Sequence, residues 1–168
     1  MIYEFICEAK KSSKKLLAIL VDPDNLSLEN IPQLMALVND SPATHLFMGG
    51  SLIQKNEMDE YITEIKKYTA LPIVLFPGNY AQISDKADGI LFLSLISGRN
   101  PEYLIGQHIH AAPLLKRTNV EVISTGYLLI DGGMPTSVSY ISNTLPIPSN
   151  KKDIALATAL AGEMLGLK

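Results

Sequence analysis

Leu16-Leu17-Ala18-Ile19-Leu20-Val21 runs without a polar side chain straight into Asp22-Pro23-Asp24-Asn25. The run is strand-sized, apolar on both faces and stopped by turn formers. A strand at a wet sheet surface alternates apolar with polar residues. One that is apolar throughout belongs to a parallel sheet, whose crossovers leave its strands no wet face. Similar runs recur at His45 to Met48, Pro72 to Phe76, Gly89 to Leu93 and Glu121 to Ser124. Between them, apolar residues return every three or four positions over Asn30 to Asn39, Asn56 to Tyr68 and Pro101 to Lys116, which predicts helices. Strand alternating with helix makes the fold class α/β.

The remaining segments set the organisation. Gly78 to Lys86 has room for about two helical turns between the third and fourth strands. After the fifth run, Gly126 to Lys152 is polar and proline-rich and reads as one long loop without a domain-splitting linker. Asp153 to Leu165, rich in Ala and Leu, reads as a helix capped by Asp153. Residues 1–168 are therefore expected to form a single domain. A closed (β/α)8 TIM barrel takes eight strands and typically about 250 residues. With five strands expected, two architectures stay open: an open α/β sheet, or a barrel of which this chain carries about five βα units.

Composition narrows the function. The 168 residues are 47% hydrophobic and 18% charged, enough apolar material for a sizeable core. Against 17 Asp and Glu stand 14 Lys and Arg, a net charge of −3, which provides no general positive field for nucleic acid. A lone cysteine, Cys7, forms no disulfide within the chain and, with no depressing neighbour in sequence, reads as a small core residue. No run approaches the roughly 18–20 apolar residues of a membrane span. Cytoplasmic placement is the expectation.

Candidate site residues gather after the strands. In parallel α/β folds ligands sit at the carboxyl ends of strands, so Asp22 and Asp24 are expected at a site rim, where hard carboxylate oxygens suit Mg2+. The plainer reading of Asp-Pro-Asp is a turn and a cap. After the second run, Gly49-Gly50-Ser51 is able to bring backbone amides close to an anion, although alone it signals only a tight turn. The third run leads into Phe76-Pro-Gly-Asn79, and the fourth into Ser94-Leu-Ile-Ser-Gly-Arg-Asn100. Neither a P-loop nor a dinucleotide glycine fingerprint is present. His108 and His110, two apart on a predicted helix, point in different directions and are no metal pair; both read as packed or capping residues.

In order, Val21-Asp-Pro-Asp24, Met48-Gly-Gly-Ser51, Leu75-Phe-Pro-Gly-Asn79, Ala87-Asp-Gly-Ile90, Ser124-Thr-Gly-Tyr127 and Asp131-Gly-Gly133 resemble the geranylgeranylglyceryl phosphate synthase family, in the branch that includes bacterial members. Thr144-Leu-Pro-Ile-Pro148 and the Ala155 to Gly166 helix resemble it too. The resemblance implies a TIM-barrel prenyltransferase that condenses geranylgeranyl diphosphate with sn-glycerol 1-phosphate, forming an ether and releasing diphosphate. It implies Mg2+ on Asp22 and Ser51 with Asp24 nearby, Gly49, Gly50 and Tyr127 as substrate-binding residues, and a homo-oligomer. An apolar wall for the prenyl chain is expected from Phe76, Tyr103 and Tyr127. Family members continue into glycine-rich words that bind glycerol phosphate and supply an acidic residue near its hydroxyl; those words do not occur here. The expectation is a chain that carries the metal and diphosphate half of the site and lacks the acceptor half, which leaves its activity by itself open. Another phosphate-handling barrel and a non-catalytic α/β ligand-binding module remain alternatives.

Overall fold

A computed structural model describes residues 1–51 and 57–168. The expected strands form one parallel sheet in the order β1 (Ala18–Val21), β2 (His45–Met48), β3 (Ile73–Leu75), β4 (Gly89–Leu95) and β5 (Glu121–Tyr127). Each strand pairs with the next in sequence. Crossovers between parallel neighbours are right-handed, so successive crossovers in one direction put their connections on one face of the sheet. That is the winding of a barrel, and it differs from a doubly wound sheet, in which strand order reverses.

Register stacks the apolar residues in layers. Ile19, Leu46 and Ile73 stand side by side across three strands, and Val21, Met48, Leu75 and Ile90 across four. Both rows pack against helices α2 (Ile31–Asn39) and α3 (Met58–Ile65), whose Ile31, Met35, Val38, Tyr61, Ile62 and Ile65 are buried in the same cluster. Asn56, with which the second predicted helix begins, lies outside the described residues. The Tyr61 phenol donates to the Leu26 carbonyl at 2.8 Å, so the largest buried side chain keeps its polar tip satisfied.

Four expectations change. Gly78 to Lys86 contains no helix; turns connect β3 to β4. Asn79 Oδ1 accepts from the Ala81 amide at 2.8 Å, and below it the Asp88 carboxylate accepts from the Ile73 amide at 2.8 Å and from Lys66 Nζ at 2.7 Å. Side-chain acceptors thus do locally what a helical ladder would have done. The stretch expected to be a loop after β5 contains α5 (Ser137–Ser142), opened by a reciprocal Thr136–Ser139 cap and closed by Asn143 in the left-handed conformation. The last helix, α6 (Lys152–Met164), begins after Lys151, so Asp153 lies in its first turn rather than capping it. A carboxylate there still favours the positive end of the helix dipole. The predicted 101–116 helix opens with a π turn, Glu102–Gly106, before α4 (Gln107–Leu115).

Helix α1 (Ile2–Lys11) had no sequence expectation. Glu4 in its first turn and Lys10 and Lys11 in its last match the dipole, and its amino-terminal half is docked on the sheet. The Glu121 carboxylate at the start of β5 accepts from the backbone amides of Ile2 and Tyr3, the latter at 3.0 Å. One turn further on, Phe5 lies 5.6 Å from the ring of His45 at the start of β2. Helix α1 therefore crosses the amino-terminal edge of the sheet, leaving the carboxyl-terminal edge open.

His45 is 3% exposed. The Thr44 hydroxyl donates to the Leu17 carbonyl at 3.0 Å and lies 2.9 Å from His45 Nδ1, so its oxygen accepts from Nδ1–H. Nε2 is left without a partner among the described residues. Burial lowers the His45 pKa, and that of His108, below the usual histidine value. A group whose folded pKa is depressed binds more protons when unfolded, so its stabilisation is full above about pH 6.5 and falls as pH drops toward the folded value. Thermal unfolding followed by circular dichroism from pH 8 to pH 5 should show Tm falling below about pH 6.5. His45→Leu should flatten that fall; an unchanged pH profile would rule His45 out as its source.

Candidate functional site

At the open edge of the sheet, β1 ends at Asp22, which caps a 3-10 turn over Pro23–Asn25. One carboxylate oxygen accepts from the Asp24 amide at 3.0 Å and the other from Asn25 Nδ2 at 2.7 Å. The turn reading of Asp-Pro-Asp is thus correct, with the cap supplied by Asp22 itself. Among the described residues each oxygen accepts one hydrogen bond and keeps lone-pair capacity for a second donor or a cation.

The β2 end is fitted against its neighbours by missing side chains. A Cβ on Gly49 would lie 2.0 Å from the Phe76 carbonyl oxygen, and one on Gly78 would lie 2.5 Å from the Gly50 carbonyl oxygen. A Cβ on Gly50 would stand 3.3 Å from Asp22 Oδ1, so the Gly50 backbone passes directly over the carboxylate. Gln82 locks this arrangement. Its buried side chain accepts from the Gly78 amide at 2.9 Å and donates to the Gly50 carbonyl at 3.2 Å. The turn that replaces the expected helix thereby ties the ends of β2 and β3 together.

Two cavities open here. The first, about 320 Å3, is mainly apolar. Phe76, Tyr103 and Tyr127 line it, as do β4 residues and, from α4, Gln107, His108 and Ala111. With no helix between β3 and β4, the flank of β4 facing α4 stays accessible. Two of its lining rings touch, Phe76 meeting Tyr127 edge to face at 5.9 Å, and Phe47, outside the lining, stacks on Phe76 at 5.9 Å. Inside, His108 Nε2 lies 3.2 Å from Ser94 Oγ and its ring stands edge-on to Phe92 at 4.4 Å, so His108 is a packed residue. His110 is exposed and lies against Tyr80, with ring centres 5.0 Å apart.

The second cavity, about 480 Å3, is bordered by Asp22, Ser51, Pro135, Thr136, Ser137, Tyr140 and Ile141. Ser51 and Ile141 border both cavities. Helix α5 is their common wall: Val138, Ile141 and Ser142 face the apolar space, while Ser137 and Tyr140 border the polar one. It is held by Asn100 Nδ2, which donates to the Ser142 carbonyl at 2.7 Å, and by the buried Ser142–Thr144 hydroxyl pair at 2.8 Å.

The structure therefore brings Asp22, Gly50 and Ser51 together and puts Phe76, Tyr103 and Tyr127 around the adjoining apolar space. Gly49 works from beneath, as the residue that lets β2 close onto Phe76. Gln82 and the α5 residues were not singled out in sequence. The Thr136 and Ser139 spacing hinted at a helix start, whereas nothing marked Gln82. Among the described residues no three His, Cys, Asp or Glu side chains cluster as a metal site, and no helix is long and apolar enough to cross a membrane.

Residues 10–168 match the model of the PcrB family. The chain is 55% identical to a protein of Flavobacterium johnsoniae and 52% identical to one of Chitinophaga pinensis, both named geranylgeranylglyceryl phosphate synthase. Each match covers 99% of this chain, and 69% and 66% of those proteins respectively. In three dimensions it is similar to the crystal structure of (S)-3-O-geranylgeranylglyceryl phosphate synthase from Thermoplasma acidophilum in complex with substrate sn-glycerol-1-phosphate, with a TM-score of 0.85 at 30% identity. That superposition covers 95% of this chain and 64% of the other. This chain thus spans about two thirds of the length of these relatives.

Gln82→Ala removes both partners from the Gly78 amide and Gly50 carbonyl. Leaving such groups unsatisfied costs about 1–3 kcal/mol each when they are shielded from water. A fall in the urea midpoint equivalent to at least ~1 kcal/mol is expected; an unchanged midpoint would mean that water replaces the Gln82 amide without loss.

Proposed function

This chain belongs to the PcrB family, and we propose that it serves the condensation of geranylgeranyl diphosphate with sn-glycerol 1-phosphate, its own residues holding the prenyl diphosphate. One observation carries the reading: an apolar cavity and a polar, carboxylate-bearing cavity meet at Ser51 and Ile141. A prenyl diphosphate has the same division. Its long tail is stabilised in an apolar groove by roughly 0.8 kcal/mol for each buried methylene, and its diphosphate seeks donors and cations.

Asp22 and Ser51 fit the Mg2+ that such a substrate carries. This ion dehydrates reluctantly and is commonly held by one or two carboxylates together with substrate phosphates and water. One carboxylate with spare lone pairs beside a hydroxyl suits that pattern, and the lack of a three-residue cluster among the described residues agrees with it. When bound, Mg2+ would neutralise charge on the diphosphate. Gly49 and Gly50 let the β2 end pass close to Asp22, and Phe76, Tyr103 and Tyr127 wall the tail. They keep water from the allylic carbon while its bond to the diphosphate oxygen breaks and one to the glycerol oxygen forms.

The 168 residues make one domain, corresponding on this reading to five of the βα units of a TIM barrel. Cytoplasmic placement is in keeping with the single cysteine, and a homo-oligomer with the exposed Leu156 and Leu160 of α6 and Ile109 of α4.

Calorimetric titration with geranylgeranyl diphosphate in Mg2+ should show saturable binding, and sugar phosphates should give none. Asp22→Ala should weaken it at least tenfold and remove its Mg2+ dependence; transfer to labelled sn-glycerol 1-phosphate is measured in parallel. Absence of prenyl diphosphate binding to the unaltered chain would overturn the reading.

A further inference from the structure

The meeting of the two cavities fixes where a prenyl diphosphate would change character. Ser51 and Ile141 border both spaces, so the allylic C1–O bond, at which tail becomes diphosphate, belongs between them. Ile141 is on α5, and so is the residue before it, Tyr140, which borders the Asp22 cavity and a neighbouring space along Asp131 to Thr136 but not the apolar cavity. Tyr140 is 85% exposed, its ring turned away from the apolar core that takes its neighbours Ser142 and Val138.

From this juxtaposition we propose that Tyr140 is a leaving-group residue, its phenol donating a hydrogen bond to the diphosphate oxygens, with Ser137 as a second donor on the same wall. The inference rests on the prenyl diphosphate reading given above. Three observations distinguish these hydroxyls from others nearby. Thr136 Oγ1 already accepts from the Ser139 amide at 3.2 Å, and Ser139 Oγ donates to the Thr136 carbonyl at 2.8 Å, so that pair is engaged in capping α5. The Tyr103 phenol, on the apolar side, points at the Ile141 carbonyl at 3.5 Å. Tyr140 and Ser137 are left as the α5 hydroxyls that border the Asp22 cavity without a capping duty.

The chemistry needs such a donor. As the allylic bond breaks, its electron pair passes to the diphosphate oxygen, and charge grows on that side only. The phenol keeps its proton and stabilises the growing charge by a hydrogen bond; the carbon forms its new bond to the acceptor hydroxyl oxygen, which loses its proton to a base. A donor aimed at developing charge lowers a barrier more than contacts equal in both states. The backbone of α5 is fixed by Asn100, Ser142 and Thr144, so the wall carrying Tyr140 is in place before a ligand arrives.

The test titrates the full chain, unaltered and as Tyr140→Phe, with geranylgeranyl diphosphate in Mg2+ and with geranylgeraniol, which has the tail without the diphosphate. Tyr140→Phe keeps the ring and deletes the donor. Expected is a loss of roughly tenfold or more for the diphosphate, the size of one hydrogen bond to a charged group, with no change for the alcohol. Ser137→Ala should give a smaller loss of the same kind. Equal affinity of both forms for the diphosphate would overturn the proposal. So would an equal loss for both ligands, which would make Tyr140 part of the tail groove. If the unaltered chain binds the alcohol but not the diphosphate, or neither, the prenyl diphosphate reading itself fails, and the result is distinct from a Tyr140 effect.

Discussion

Parallel pairing of five strands in sequence order forces every strand to end at the same edge of the sheet. Asp22, Gly49, Phe76 and Tyr127 are far apart in the chain and share nothing in local structure; they become neighbours because each follows or closes a strand running in the same direction. Helix α1 takes the opposite edge, anchored by Glu121 and lying against His45. One edge is thus given to stability and the other to a site, as in barrels generally.

At the open edge, the fit is set by backbone rather than by side chains. The Phe76 carbonyl leaves no space for a Cβ on Gly49, and the Gly50 carbonyl leaves none on Gly78. Backbone cannot move aside as a flexible side chain does, so these positions admit only glycine without displacing a strand end. Gln82 then satisfies the amide and carbonyl that the close approach would otherwise leave exposed to competition from water. The Asp22 carboxylate is oriented by its own turn, through Asp24 and Asn25, so its position does not depend on a ligand.

The expected strands are legible because apolar runs with no polar face have few other places to go. β2 occupies the expected residues, His45–Met48, while β4 and β5 continue through polar Ser94 and Thr125 because backbone pairing there does not depend on side-chain polarity. The strand-end positions of Asp22, Gly50 and Ser51 follow from the same reading. What escaped it was decided by tertiary contacts. The turns of Gly78 to Lys86 depend on Gln82 reaching the β2 end, and α5 is six residues whose anchoring by Asn100 has no counterpart in local periodicity. Helix α1 went unread because its charges, ordered for the dipole, look in sequence like interruptions of an apolar run.

The division of the site into two cavities has an energetic consequence. A tail groove contributes in proportion to buried apolar area, and that contribution is the same before and during bond breaking, so it strengthens binding without accelerating the chemical step. On the prenyl diphosphate reading, only groups on the polar side meet a charge that grows. Their separation by a single short helix means that substitutions at Val138 or Ala111 and substitutions at Ser137 or Tyr140 act on different terms. On the same reading, the first pair bears on how tightly a tail is held, and the second both on how tightly the diphosphate is held and on how readily it departs. Because Ile141 and Ser51 touch both spaces, a change at either is expected to mix the two effects, and their junction is where selectivity for a chain and reactivity of its end are coupled.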